Sequence, residues 1–356
     1  MLAFKYISFH YLKYFLIILS ALVAFVVGFD YMDHTFPDGF SANLLLIYLV
    51  YKAFYAIDML LPLALIFAMI STKVLLIRSN ALVSFYSLGY SRTDILKPFV
   101  VVSSSVIVLF IFLHSLSSFS RANEFSANIR NYETYLNPSK DLFFTYKDKF
   151  IYFSGMLPLQ KKAIDIRVFS IKNNTLKEVI LAKEATYKNN SWFIKEADII
   201  KKPDNMGFNS PGIEVEEKKG LNILSGFRPK MLDQVYDGKV NFTIKDAIDA
   251  FILLKDQNVN INSIKGALYK IFIYPLFVPC LVVIIFFFVP ISARFLNVSL
   301  FSFGAILATL LVWGILFMLI ELSNNKTIPS ELGVVLPIVI LFFIALKDWQ
   351  KHKIIT

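Results

Sequence analysis

The chain is poor in the residues on which disulfide-bonded secreted domains and soluble enzymes depend. It has one cysteine, Cys280, in 356 residues, so no disulfide can form within the chain. Only 17% of the residues are charged, whereas 56% are hydrophobic. These values exclude an ordinary soluble domain and indicate an integral membrane protein.

The chain also lacks the motifs that carry catalysis or bind nucleotides and metals. Gly207 and Gly212 have the spacing of a phosphate-binding loop, but Ile213 and Glu214 follow where that loop needs Lys and Ser or Thr. There is no His-Glu-x-x-His and no Gly-x-Ser-x-Gly sequence. The four histidines are scattered along the chain: His10, His34, His114 and His352. We therefore expect no catalytic site, no metal site and no cofactor, and any ATP hydrolysis to belong to a separate protein.

What the chain does have is six apolar runs, three on each side of a more polar insert. A membrane span needs about 20 mostly apolar residues to cross the hydrocarbon layer. The runs cover residues 14–32, 44–77, 98–119, 271–290, 300–322 and 328–346. We expect transmembrane helices one to three within residues 1–120, an inserted domain over 121–265, and helices four to six with a tail over 266–356.

The positive charges predict how these spans are oriented. Short loops that are rich in Lys and Arg stay in the cytoplasm. One set of loops and ends carries Lys5, Lys13, Lys73, Arg78, Arg92, Lys97, Arg294, Lys347, Lys351 and Lys353, whereas the loop after span one carries Asp30, Asp33 and Asp38. Both termini are therefore expected in the cytoplasm and the insert outside. The net charge of +10 comes without a basic recognition motif, so nucleic acid is not an expected partner.

The insert is predicted to be all-β. Ile164, Ile166 and Val168 alternate with polar residues, and further short strands are expected over 176–181, 185–187 and 192–200. Asn173-Asn174 and Asn189-Asn190 are turn signals between them. This spacing is typical of a sandwich, a jelly roll or an open barrel.

A short amphipathic helix is predicted at residues 79–88, in the loop after span two. Ser79 or Asn80 can cap its start, and Gly89 suits the left-handed stop position. Its apolar positions fall on one face: Ala81, Leu82, Phe85 and Leu88. Such a helix either lies on the membrane surface or inserts into a groove of a partner, and the pattern favours neither.

Two charged residues lie in the outer part of the long second apolar run. Lys52 is expected to extend towards the outer headgroups. Asp58 is six residues further on, which is not the same helical face, so the two residues need not pair.

In its order of motifs, nearly the whole chain resembles the LptF/LptG permeases of lipopolysaccharide export. The likeness includes Tyr6-Ile7, the Asp30-Tyr31-Met32-Asp33 stretch, and the sequence from Leu60 through Pro62 to Leu65. It continues with Arg78-Ser79, Leu82-Val83 and Gly89-Tyr90-Ser91-Arg92, and with residues 182–187 followed by Trp192. Pro275-Leu276, Ile328-Pro329 and Leu336-Pro337 complete it.

The resemblance implies an α-helical membrane protein with six transmembrane helices (3 + 3) and an inserted jelly-roll-like periplasmic domain. It implies a multi-pass permease subunit of an ABC transporter in the inner membrane of a Gram-negative bacterium. The implied partners are a second LptF/LptG-type permease, an LptB-like ATPase dimer, LptC/LptA-like periplasmic proteins and lipopolysaccharide. The segment at 79–88 would be the helix that contacts the ATPase, through Ala81, Leu82, Phe85, Tyr86, Leu88, Gly89 and Arg92. Lipid-path or headgroup contacts are expected at Lys52, Arg121, Arg130, Ile166 and Val168.

Two features depart from the family pattern. Ala81 stands where the family commonly has a Glu, which places more of the ATPase contact on the remaining residues of the helix. LptG-type members often have Lys residues after the first span, where this chain has Asp30, Asp33 and Asp38. The Asp-x-x-Asp pattern nevertheless favours an LptG-like over an LptF-like subunit.

Two other classes of function compete with lipid export. A mechanical relay of the FtsX or MacB kind would transmit ATPase motion without moving lipid, but such proteins usually have four spans with the large domain after the first. A membrane-anchored envelope enzyme would need a polar cluster at the membrane surface, and the sequence shows none.

Overall fold

The computed structural model of the chain describes residues 2–33, 36, 41–130, 139–146, 149–157, 162–172, 175–189, 191–203, 212–225, 243–254, 262–288, 297–325 and 327–354. The chain divides into two compact units. The membrane unit comprises Met1–Arg130, Asn241–Ala247 and Lys265–Thr356. The β unit comprises Asn131–Val240 and Ile248–Ile264.

Six stretches of helix in the described residues are long and apolar enough to cross a membrane, and they confirm the predicted 3 + 3 arrangement. They are Leu2–Asp33, Ala42–Arg78, Arg92–Leu113, Ile264–Phe288, Val298–Asn324 and Glu331–His352. Most begin or end outside the predicted apolar runs, because the hydrophobic pattern marks the part that lies in lipid and the helix continues beyond it. The first helix, for example, begins at Leu2 rather than at residue 14.

The first half of the membrane unit contains helices α1 (Leu2–Asp33), α2 (Ala42–Arg78), α3 (Ala81–Ser87), α4 (Arg92–Leu113), α5 (Ser117–Ser120) and α6 (Ala122–Arg130). Helix α2 is the central helix, because most of its apolar stretch is buried against neighbouring helices while α1 is largely exposed. Its buried residues, among them Leu65, Ile66 and Met69, belong to one apolar core with Phe99 of α4.

After the strands come α7 (Ile244–Leu254), α8 (Asn262–Phe272), a 3₁₀ turn (Tyr274–Leu276), α9 (Phe277–Phe288), α10 (Val298–Asn324) and α11 (Leu336–Ile354). These elements belong to the membrane unit except for Ile248–Ile264, the later part of α7 and the start of α8, which belong to the β unit. The 3₁₀ turn interrupts the fourth span at Pro275, whose ring removes the amide hydrogen that an α-helix needs. Helix α9 contributes Phe277, Val282 and Phe286 to the same apolar core as α2. The single cysteine, Cys280, is buried on α9.

Helix α10 and the helical segment that precedes α11 meet through very small residues. A π-helical segment, Glu331–Val335, precedes α11. A Cβ atom at Gly333 would come within 2.9 Å of both the Leu319 carbonyl oxygen and the Ser323 Cβ. Beside it the Ser323 hydroxyl donates a hydrogen bond to the Ser330 hydroxyl over 3.0 Å. Only glycine permits this close approach of the two helices.

The β unit contains one six-stranded antiparallel sheet in the described residues, which confirms the predicted inserted all-β domain. The strands follow each other in chain order: β1 (Ser139–Tyr146), β2 (Lys149–Leu157), β3 (Lys162–Lys172), β4 (Thr175–Lys188), β5 (Ser191–Lys201) and β6 (Glu214–Ile223). The strands predicted over 176–181 and 185–187 are one continuous strand, β4. The predicted division was wrong, because Lys183 and Glu184 lie exposed within the strand and do not interrupt it.

One face of the sheet forms an apolar core around Trp192. It includes Ile151, Phe153, Ile166, Val168, Ile180, Ile194 and Ile199. The alternation of β3 is broken at Asp165, which has a φ of +46°. In consequence Ala163 and Ile166 are both buried, whereas Ile164, which simple alternation would place beside Ile166, is 42% exposed.

Candidate functional site

The predicted amphipathic helix is present as α3, and backbone contacts define both of its ends. Gly89 has a φ of +84°, as the predicted stop position requires. The amide of Gly89 donates to the Tyr86 carbonyl over 3.0 Å, and the amide of Tyr90 donates to the Phe85 carbonyl over 3.1 Å. Ser91 then forms a capping box with Asp94 that begins α4.

The start of α3 differs from the prediction. Asn80 lies at the cap position with a φ of +55° and makes no capping hydrogen bond through its side chain. The Ser79 hydroxyl donates backwards to the Leu75 carbonyl over 2.8 Å and thus belongs to the end of α2. The predicted side-chain cap was wrong because two helices compete for these two residues, and α2 takes Ser79.

The structure divides the predicted apolar face of α3 into an inward and an outward part. Leu82 is only 1% exposed and belongs to the core of the membrane unit, and Ala81 packs against that core. Phe85 lies between Tyr6 and Tyr90, with ring centroids 6.2 and 6.0 Å away. Leu88, by contrast, is 72% exposed, and Val83 is exposed beside it.

Tyr86 lies half-buried on α3, and Arg92 begins α4. Burial raises the pKa of Tyr86 to about 12, and the charge of Arg92 opposes this shift. Tyr86 therefore stays neutral at physiological pH. The surface that α3 offers to a partner consists of Val83, Ser84, Ser87, Leu88 and Gly89, which we call the α3 outer face.

The three cations predicted as headgroup contacts all lie close to carboxylates or to polar groups of the protein. Lys52 Nζ is 2.7 Å from Asp30 Oδ1, so Lys52 pairs with a carboxylate at the end of α1. The Tyr48 hydroxyl also donates a hydrogen bond to Asp30. The side chain of Arg130 is close enough to interact with the same hydroxyl. The structure thus brings Lys52 and Arg130 into one cluster around Asp30 and Tyr48.

Arg121 is held separately. Its guanidinium donates two hydrogen bonds to Glu124, from Nε to Oε2 over 2.7 Å and from Nη2 to Oε1 over 2.6 Å. This two-pronged geometry is the strong form of an arginine–carboxylate pair. The guanidinium also lies 5.7 Å from the ring centroid of Phe125.

Sequence reasoning missed a second polar contact within the membrane unit, between Asp58 of α2 and His114 at the end of α4. The Nε2 atom of His114 is 3.0 Å from Asp58 Oδ1, and its Nδ1 atom is 3.0 Å from the Phe110 carbonyl oxygen. Both ring nitrogens therefore lie within hydrogen-bond distance of an oxygen atom. The only sequence signal was that both residues are polar at membrane depth, and that signal does not name the partner.

The two predicted lipid-path residues lie in the β unit. Ile166 and Val168 are both buried, on the same face of β3, within the apolar core around Trp192. They line a continuous apolar interior that extends from β2 to β5 in the described strands. The side chains of this interior in the described strands are apolar.

Comparison with known families adds one finding. A family model described as "Lipopolysaccharide export system permease LptF/LptG" matches residues 5–347. The match thus extends from α1 through the β unit into α11. No curated protein matches the chain.

Proposed function

The chain belongs to the LptF/LptG family of lipopolysaccharide export permeases, and from that premise we propose that it is one permease subunit of an ABC transporter. In this proposal it takes lipopolysaccharide from the inner membrane and passes it to a periplasmic protein bridge. ATP is hydrolysed by a separate LptB-like dimer, and a second LptF/LptG-type permease completes the membrane part. The family match over nearly the whole chain is the observation that carries the proposal.

The distribution of charge supports one orientation of the membrane unit. Lys5, Lys13, Arg78 and Arg92 flank helix ends on the side of α3, whereas Asp30 and Asp33 end α1 on the other side. By the positive-inside rule, α3 and both termini face the cytoplasm. The β unit, inserted between the third and fourth spans, then lies in the periplasm.

In this orientation α3 is placed to contact a cytoplasmic ATPase. Because Leu82 and most of Phe85 are used within the membrane unit, the contact falls to the α3 outer face, with Leu88 as its most exposed apolar residue. Burying an exposed leucine in a groove contributes about 1.5–3 kcal/mol to an association. Ala81 lies at the inward side and is not needed for this contact.

The decisive experiment is affinity purification of the tagged chain from native membranes, with identification of the proteins and lipids that copurify. Wild-type protein is expected to bring an ABC ATPase, a second six-span permease and lipopolysaccharide. Leu88→Asp should lose the ATPase while still inserting, because a charge would enter an apolar groove. Ile171→Asp, an exposed apolar residue of the β unit, is the matched control and should keep the ATPase.

Other outcomes of the same purification would contradict the proposal. An ATPase that copurifies with division or peptidoglycan enzymes, but without lipopolysaccharide, would point to the mechanical relay. Retention of the ATPase by Leu88→Asp would show that α3 is not the contact.

The apolar interior of the β unit supports a path for acyl chains. Val168→Asp should reduce lipopolysaccharide transfer more than ATP hydrolysis, because the new carboxylate would lie among the apolar strand residues. Ile164→Asp is the matched control on the same strand, since Ile164 already faces outwards. Equal loss of transfer in both variants would count against a lipid path at this face.

We propose that Lys52, Arg121 and Arg130 contact lipid headgroups by exchanging their present partners for a lipid phosphate. Lys52 and Arg121 are already paired with Asp30 and Glu124. A lipid phosphate would therefore have to exchange for those carboxylates rather than occupy a vacant cation site.

A further inference from the structure

The membrane unit contains a buried lysine that the proposed function does not use. Lys73 lies on α2 and is 2% exposed. Its ammonium group donates a hydrogen bond to the carbonyl oxygen of Phe286 on α9. It also lies 3.9 Å from the centroid of the Phe286 ring. No carboxylate in the described part of the chain offsets its charge, and the charge of Arg92 opposes it.

The sequence explains why the Phe286 carbonyl is available to Lys73. In an α-helix this oxygen would accept from the amide four residues later. That residue is Pro290, which has no amide hydrogen. The described part of α9 reaches Phe288. Residue 290 cannot donate to the Phe286 oxygen, so this oxygen can accept a hydrogen bond from a side chain of another helix. Lys73 supplies this hydrogen bond from its Nζ atom.

The last turn of α9 is a meeting point of helices. The Phe286 ring packs against Phe99 of α4, with centroids 5.9 Å apart. The neighbouring Phe287 stacks on His352 of α11 with centroids 4.3 Å apart and ring planes within 7°. Whatever moves the end of α9 therefore acts on α4 and α11 as well.

Lys73 also lies close to α3 along the chain. It is five residues before the end of α2 at Arg78, which is about 7.5 Å along the helix axis. The turn at Ser79 and Asn80 then leads directly into α3. A displacement of α3 reaches Lys73 through a short rigid helix segment.

We propose that Lys73 is a positioning residue that transmits displacement of α3 to the end of α9 through its hydrogen bond to Phe286. The proposal rests on the proposed function, in which an ATPase moves α3. The hydrogen bond between Lys73 and Phe286 mechanically links the first three spans to the last three. Loss of the link should leave the ATPase bound and active but disconnect ATP hydrolysis from lipid transfer.

Pro290→Ala gives the experiment a control that separates this role from simple structural support. Alanine has the amide hydrogen that proline lacks, and in a helix extended to residue 290 it would donate to the Phe286 carbonyl without the use of Lys73. Pro290→Ala alone should retain coupling. Lys73→Met/Pro290→Ala should retain stability but lose the link between the two helices.

The first measurement uses the complex purified with its ATPase and placed in vesicles that contain lipopolysaccharide. ATP hydrolysed and lipopolysaccharide transferred to a soluble acceptor are recorded together. The amount of lipid transferred per ATP should fall about fivefold or more in the double variant relative to Pro290→Ala, as expected for loss of an energetic coupling between sites. A ratio within about twofold of the control would overturn the proposal, because Lys73 would then only satisfy a carbonyl.

Lys73→Arg tests the donated hydrogen bond directly. Arginine keeps a positive donor at this position, so its lipid-to-ATP ratio should stay above that of the double variant. A ratio as low as that of the double variant, in a complex that assembles normally, would show that the hydrogen bond is not what couples the helices.

The second measurement uses the solubilised chain alone and needs no ATPase. Hydrogen exchange of the last turn of α9 should become faster in Lys73→Met than in wild type, because the helix end loses its anchor to α2. Unchanged exchange would overturn the link itself. Faster exchange in a chain that never copurifies with an ATPase would keep the link and refute the proposed function instead.

Discussion

The membrane unit and the β unit differ in how apolar residues are distributed between buried and exposed positions. In the β unit the apolar residues lie on one face of the sheet around Trp192, and the other face carries charged residues such as Lys183, Glu184, Lys195 and Glu196. In the membrane unit both sides are apolar: Phe25 and Phe29 of α1 and Leu311 of α10 are as hydrophobic as the core but exposed. Hydrophobicity therefore determines packing in the β unit, whereas it cannot do so in the membrane unit.

What specifies packing in the membrane unit is a small set of polar links and close approaches. Lys73 joins α2 to α9, and the Asp58–His114 contact joins α2 to α4. Gly333 lets the start of the sixth span approach α10. Lipid competes with apolar side chains for apolar surfaces but cannot replace a hydrogen bond or fill a contact of this kind. The comparison predicts that apolar truncation is most damaging in the β unit and that polar or steric changes are most damaging in the membrane unit.

The largest effect is expected from Trp192→Ala. Trp192 is fully buried and packs against Phe153 and Tyr187, with ring centroids 5.5 and 5.6 Å away. Its truncation should lower the free energy of unfolding of the β unit by about 3–5 kcal/mol. Limited proteolysis and the strand signal in circular dichroism would measure this, and the helical signal should be unchanged. Simultaneous loss of both signals would break the comparison, because the two units would then not be stabilised separately.

A smaller loss is expected from Asp58→Ala in the membrane unit. The substitution leaves Nε2 of His114 without its carboxylate partner. A hydrogen bond to a charged group contributes about 1.5–3 kcal/mol, so the free energy of unfolding should fall by about that amount. The unfolding temperature in detergent should be lower than that of the wild type. An unchanged unfolding temperature would mean that water or lipid replaces the carboxylate, and polar links would then not specify packing at this site.

Gly333→Ala tests steric specification in the same unit. The added methyl group would meet the Leu319 carbonyl and Ser323 at 2.9 Å, so α10 and the start of the sixth span must separate. We expect a loss of about 1–3 kcal/mol in detergent unfolding. Gly314→Ala is the matched control, because no atom outside the helix backbone lies within 4 Å of its Cβ position. Alanine favours a helix over glycine, so this control should be neutral or stabilising.

The smallest effect is expected from Glu216→Gln in the β unit. Glu216 pairs with Lys201 over 3.1 Å, but both side chains are about half exposed. Lys201 lowers the pKa of Glu216, so any stabilisation is present at neutral pH and is lost as the pH falls through the lowered pKa. At pH 7 the unfolding of the β unit should not change measurably. A clear destabilisation would show that charge as well as apolar burial holds this sheet together.

Local features of the chain were predictable from the sequence, and contacts between distant residues were not. The six spans, the β insert and the left-handed Gly89 follow from run length, alternation and the needs of a single backbone position. The inward turn of Leu82 and Phe85 did not, because α3 is apolar enough to face either the membrane unit or a partner. Phe85 faces inwards because it packs between Tyr6 and Tyr90. Both residues lie outside α3, so the periodicity of α3 alone does not predict this contact.

The same limit applies to the polar contacts. The sequence showed Lys52, Asp58 and His114 as polar residues at or near membrane depth and Lys73 as a charge of the cytoplasmic loop. A hydrophobic pattern does not tell which helices pack against each other. The sequence therefore did not predict that Lys52 pairs with Asp30. The LptG-like rather than LptF-like assignment stays a prediction.

The burial of Cys280 has a practical consequence for experiments on this protein. A thiol-reactive probe has only one native target, Cys280. This cysteine is buried in the core of the membrane unit and is therefore shielded from the probe. A cysteine introduced at Leu88 or Ile164 would therefore be labelled selectively without first replacing the native residue. Paired spin or fluorescent labels could then report distances in a chain that keeps its natural core.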